Sequence, residues 1–103
     1  MVNFQLTELA KQDLRSIGRY TQTTWGREQR NTYLAKIDAA FQLLAMEPQL
    51  GKSCDDLRVG YRKYPVGRHL IFYRQSADSL EIIRILHQRM DIEARFADDQ
   101  EPP

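Results

Sequence analysis

The spacing of apolar and polar residues changes three times along this chain, and each change predicts an element. From Val2 to Leu6 the apolar positions Val2, Phe4 and Leu6 alternate with polar ones, the period of a half-buried strand. Thr7 follows with Glu8 behind it, an N-cap oxygen and a carboxylate suited to the positive end of a helix. Ala10, Leu14, Ile17 and Thr21 then recur at helical spacing, flanked by Leu9 and Tyr20, while Lys11, Gln12, Arg15 and Arg19 take the other side. Gly18 weakens this helix but lets a second one approach closely. Trp25-Gly26 marks a break. A second helix is predicted from about Arg27 to Met46, striped by Tyr33, Ile37, Ala40, Phe41 and Leu44, and Glu47-Pro48 stops it.

Pro48 to Asp56 reads as an irregular connector, and from Leu57 the pattern is that of strands. Val59, Tyr61 and Tyr64 lead into Pro65-Val66-Gly67, a reversal signal. His69 to Tyr73 forms a second strand, Gln75 to Ser79 a polar loop of hairpin length, and Leu80 to Leu86 a third strand rich in Ile. Short loops make these three antiparallel neighbours. The last two are apolar on both faces, which places them centrally. Asp91 to Phe96 suits a final helical turn, and Ala97 to Pro103 is acidic and proline-ended, the composition of a disordered tail.

The order strand, helix, helix, strand, strand, strand predicts an α+β fold of one domain over residues 1–96, with residues 97–103 as the tail. The two helices form an antiparallel hairpin on one face of the three-stranded antiparallel sheet. The opposite face is expected to be open and to carry the basic side chains.

With 103 residues, 42% hydrophobic and 28% charged, the chain supports one core and no second domain. Its formal net charge is only +1, but the charge is unevenly spread. Arg58, Arg62, Lys63, Arg68, Arg74, Arg84 and Arg89 fall in the strand region against Asp78 and Glu81. That asymmetry suits an anionic partner, either nucleic acid or an acidic protein segment, and equally a plain solvated surface. Cys54 stands alone, so no internal disulfide is available and a reducing, cytoplasmic setting is expected. Beside Asp55 and Asp56 it is a poor candidate for a reactive thiolate. No signal peptide and no membrane-spanning stretch is apparent, so no membrane partner is expected.

Glycine-rich phosphate loops, Cys/His metal spacings and serine elbows do not occur, and two histidines are too few for a metal site, so no cofactor or metal is expected. The cluster His87-Gln88-Arg89-Met90-Asp91 lies near Arg84 and Arg68. Metal-free RNA cleavage needs a base, an acid and cations for the developing charge, which imidazole and guanidinium groups supply. A structural reading stands beside it, in which His87 caps the strand end and Arg89 pairs with Asp91. Trp25, with Tyr20, is either an anchor at the core edge or an exposed aromatic of the kind that dominates interfaces.

Four runs together resemble the ParE branch of the RelE/ParE toxin superfamily: Met46 to Gly51, Leu57 to Arg62, Tyr64 to Arg74, and Ile83 to Asp91 with its histidine–x–arginine–x–aspartate ending. Leu9-Ala10, Asp13-Leu14, Ile17 and Tyr20 are similar to the first helix of that family, so the resemblance spans about Val2 to Phe96. It implies a bacterial type II toxin that acts on DNA gyrase and is neutralised by a ParD-like antitoxin, a binding protein and not an enzyme, with no sequence-specific DNA binding of its own. Under it Arg58, Arg62, Arg68, Arg74 and Arg89 are candidates for target binding, and Tyr20 and Trp25 for antitoxin binding. RelE-like members instead cut messenger RNA on the ribosome. For that alternative the candidates are His87, Arg84 and Arg68, although no tyrosine follows Tyr73 as that branch usually has.

Overall fold

The computed structural model describes residues 3–99. Strand β1 (Phe4–Leu6) leads through Thr7 into helix α1 (Glu8–Trp25), then helix α2 (Arg27–Met46). A 3-10 turn (Pro48–Leu50) precedes strands β2 (Lys52–Ser53), β3 (Arg62–Val66), β4 (His69–Gln75) and β5 (Leu80–His87), and helix α3 (Ile92–Asp99) follows. The sheet order is β1-β5-β4-β3-β2, with β1 parallel to β5 and every other pair antiparallel.

Thr7 caps α1 as its position suggests. Its Oγ1 accepts from the Ala10 amide at 3.0 Å and donates to the Ile83 carbonyl at 2.8 Å, so one hydroxyl starts the helix and ties it to β5. The helices meet through Gly26 alone, whose φ of 97° suits glycine and almost nothing else. They approach at Gly18, where an added methyl would sit 3.4 Å from Leu34. Ile17, Ile37, Phe41 and Leu44 are buried against Ile71, Tyr73, Ile82 and Ile85, with Leu14 half-buried beside them. That is the expected helix-on-sheet core.

The opposite sheet face departs from expectation. It is covered, not open. Phe72 and Leu86 pack there with Cys54, Tyr61 and Phe96, and the Phe96 ring stands edge-on to Phe72 at 4.9 Å and to Tyr61 at 5.8 Å. Strands apolar on both faces need two covers, and α3 with the 54–61 loop provides the second. Helix α3 accordingly runs past Phe96 to Asp99, through residues expected to be disordered. The rest of that tail, residues 100–103, lies outside the described residues, as does Val2.

The connector is also more ordered than its sequence suggests. It contains the 3-10 turn and β2, giving five strands among the described residues. The fully buried Tyr73 holds it: its hydroxyl donates to the Pro48 carbonyl at 2.7 Å and accepts from the Gly51 amide at 2.8 Å. A side chain at Gly51 would overlap the Tyr73 hydroxyl. Val59 and Tyr61 precede β3 and do not belong to it. Val59 stands at the tip of a loop closed by Cys54 N–H to Tyr61 O at 2.9 Å and Gly60 N–H to Asp55 at 2.9 Å. Burial raises the Cys54 thiol pKa, in line with an unreactive thiol.

Beyond Leu6 the outer edge of β5 is served by the first helix and its cap, through the Thr7 backbone N–H and the Thr7 and Asp13 side chains. Thr7 bonds the Ile82 and Ile83 carbonyls, and Asp13 accepts from the Ile85 amide at 3.0 Å. Between β4 and β5 the register passes from Tyr73–Ile82 to Phe72–Arg84, leaving Ile83 as a bulge. Among the described residues no helix is long and apolar enough to cross a membrane.

Candidate functional site

The basic residues of the strand region divide into three places. Arg58, Arg74 and Arg84 line a cavity of about 260 Å³ between the start of α1, the second sheet face and α3. There Arg74 donates to Glu81 across the β4–β5 hairpin at 2.7 Å, an exposed pair, and the Arg58 guanidinium lies 5.8 Å from the Tyr61 ring centre. Arg84 is buried, and Asp13 grips it with two bonds, Nε at 2.8 Å and Nη2 at 2.9 Å. Arg62 stands apart, half-buried and donating to the Gly51 carbonyl at 2.7 Å, a contact that holds β2 against β3.

Arg68 and Arg89 are exposed at the other end of the sheet, brought together by the Gln88 amide bonding the Arg68 carbonyl at 2.9 Å. Between them the cross-strand pair His69 and His87 meets edge to face at 5.2 Å. The Tyr33 hydroxyl, reaching over from α2, sits 2.7 Å from His69 Nδ1 and 3.1 Å from the Val66 carbonyl. Burial, and then the neighbouring His87, pull the His69 pKa down to about 4 against a weaker opposing pull from Asp13, so the ring is neutral at pH 7. Burial likewise raises the pKa of Tyr33. His87 Nδ1 accepts from the Arg89 amide at 3.1 Å, the strand-end cap expected of it. Asp91, however, accepts from the Ala94 amide at 3.2 Å and so caps α3. Tyr33 appeared in the sequence only as one member of a core stripe; nothing local announces its link to the histidines.

The three nuclease candidates are thus engaged in different tasks. Arg84 turns to Asp13, His87 packs on His69, and Arg68 projects from the β3–β4 turn. Among the described residues no group of three metal-ligating side chains converges.

The remaining surface is the hairpin. Tyr20 is 67% and Trp25 70% exposed, which excludes the core-edge reading of Trp25. An open groove runs between α1 and α2, floored by Leu14 and Leu34 and edged by Arg15, Arg19 and Arg30.

Residues 4–92 match the family described as the ParE toxin of type II toxin-antitoxin system, parDE. The chain belongs to this family. It is 38% identical over 96 residues to Toxin ParE1 of Caulobacter vibrioides, covering 93% of this chain and 99% of that one. Toxin ParE1 of Mycobacterium tuberculosis strain H37Rv is 36% identical over 91 residues, covering 87% and 93%. A solved chromosomal ParDE system from P. aeruginosa superposes with a TM-score of 0.73 at 19% identity, covering 84% of this chain and 96% of that chain, and so supports the fold. As a ParE-family member the chain is the toxin component of a type II toxin–antitoxin system. The matched span takes in every arginine discussed above together with Tyr20 and Trp25.

Proposed function

We propose that this ParE-family toxin blocks replication by binding DNA gyrase, and that a ParD-like antitoxin neutralises it by occupying the helical hairpin. The observation that carries a binding mode over a reaction is the fate of Arg84. The cation best placed to serve a nuclease is held bidentately by Asp13, with side chains only 8% and 13% exposed, so it joins α1 to the sheet. An inhibitor of an enzyme needs a surface, and two are available: the exposed Arg68 and Arg89 end, and the cavity rim with Arg58 and Arg74. Tyr20 and Trp25 offer large, rigid, exposed aromatic area at the hairpin, the residue types that dominate protein interfaces.

The test is expression of the chain without its antitoxin, followed by purified assays of DNA supercoiling and of ribosome-bound message. Filamenting cells, inhibited supercoiling and uncut message are the expected results. Cut message with untouched supercoiling would overturn the gyrase reading in favour of the ribonuclease.

A further inference from the structure

The edge of α2 beside β3 carries apolar surface left open to water. Leu43 stands on the lip of an open groove of about 340 Å³ between the helix and the strand, whose far wall is Tyr64, Pro65 and Val66. Met46, one turn further along, is 65% exposed, and Leu50, in the 3-10 turn that follows, is 45% exposed. Lys36, Ala39, Leu43 and Met46 recur at steps of three and four residues, so they share one face of α2. That face is bounded by charge, with Lys36 toward its start and Glu47 just past its end. Both are exposed, and among the described residues neither has an ion-pair partner.

Backbone and charge choose the occupant. Strand β2 pairs with β3 only at Arg62 and Lys63, and the bare edge beyond them holds Pro65, which has no N–H to offer a docking strand. An extended segment is therefore disfavoured, and a helix is the shape that fits. Opposite charges at the two ends of the face disfavour a partner of one sign, whether a phosphate backbone or an acidic peptide. They suit a helix carrying the reverse order, which α2 itself supplies when it runs antiparallel. We infer that two copies of this chain pair through α2, antiparallel, about a twofold axis at Leu43. Residues equally far before and after Leu43 then stand opposite one another. Leu43 meets Leu43 of the second copy, and the protruding Met46 lies over the small Ala39 of the second copy. Lys36 comes within about 5 Å, measured along the helix, of Glu47 of the second copy at a rise of about 1.5 Å per residue. Symmetry makes the last two contacts twice. The groove beside this face shares no residue with the one between α1 and α2, so pairing leaves the latter open.

The test is sedimentation equilibrium of the purified full chain over about 1–200 µM, a range in which small interfaces associate. The original chain should pass from the mass of one chain to that of two as its concentration rises. Leu43→Arg sets two guanidinium groups against each other at the axis and should hold the mass of one chain throughout. Lys36→Glu and Glu47→Lys each bring like charges together at two places, and each should weaken pairing about tenfold. An equimolar mixture of these two variants restores both opposite-charge contacts, so it should pair as tightly as the original chain. A folding defect cannot be complemented in this way, and melting temperatures check that each variant folds. An original chain that stays at the mass of one chain at every concentration overturns the inference. So does a Leu43→Arg chain that still pairs, or a mixture no tighter than its components. A single-chain mass for the original together with antitoxin binding abolished by Leu43→Arg also overturns it, and makes the antitoxin the occupant of this face.

Discussion

Asp13 accepts three hydrogen bonds: Arg84 Nε and the Ile85 amide on Oδ2, and Arg84 Nη2 on Oδ1. Asp13→Asn removes the charge and turns an amide N–H₂ toward either a guanidinium or a backbone donor. Both side chains are nearly excluded from water, so the buried Arg84 loses the carboxylate that holds it with two bonds. Breaking a buried pair from one side costs about 3–5 kcal/mol, against a total stability of roughly 5–15 kcal/mol for a domain of this kind. Replacing both partners by apolar residues of similar shape avoids that penalty, so Asp13→Leu/Arg84→Met should recover most of the loss. Urea denaturation followed by far-ultraviolet circular dichroism gives the measurement; Trp25, 70% exposed, is a poor fluorescent reporter. The expected outcome is a large midpoint shift for the single variant at unchanged m-value. A loss below about 1 kcal/mol for Asp13→Asn, against the cost above, would refute the reasoning. So would a double variant no more stable than the single, since desolvated charge would then not be the origin of the cost.

Three further outcomes are expected. Phe41→Ala, at a side chain 2% exposed against the Phe4 ring, should lower stability by about 3–5 kcal/mol in the same assay. For His69, the folded pKa of about 4 lies below the ordinary 6.5, so the unfolded chain takes the proton first. Stability should hold above pH 6.5 and fall as pH drops through about 4, by roughly 1–3 kcal/mol after allowance for solvent contact, and His69→Phe should flatten that window. Trp25→Ala should speed dissociation of the antitoxin by tenfold or more without changing the melting temperature of the free toxin; an unchanged off-rate removes Trp25 from the interface.

The helices were legible because their signals are local. Thr7, Gly26 and Pro48 mark their ends, and the Ile37–Phe41–Leu44 stripe marks the buried side. Strand β2 was not, since Lys52-Ser53 is too short to show a period and is held by Tyr73, twenty residues on, and by Arg62. Helix α3 offered one apolar pair at i, i+4, Ile92 and Phe96, too little to display a stripe. Its need was nonetheless visible in the double-sided apolarity of β4 and β5, which requires a second cover. The arginines were legible as a group but not in their partners. Glu81 opposite Arg74 follows from hairpin register, whereas Asp13 signals itself only as a carboxylate set among Ala10, Leu14 and Ile17. Arg62 looked like its neighbours in sequence and is distinguished by geometry alone.

The parallel pairing of β1 with β5 joins Phe4 to Leu80 and Leu6 to Ile82, and the same region supplies the partners of Thr7 and Asp13. A nascent chain on the ribosome can wind its hairpin early, because that step needs only near neighbours. It cannot close its sheet until the segment around residues 80–85 has emerged. A fragment released before that point leaves Asp13 without Arg84, the apolar hairpin face without its central strand, and α3 unmade. Aborted translation therefore yields no working fragment of this toxin, only an unfolded chain open to proteolysis. The folded toxin thus exists only once synthesis has passed the last strand.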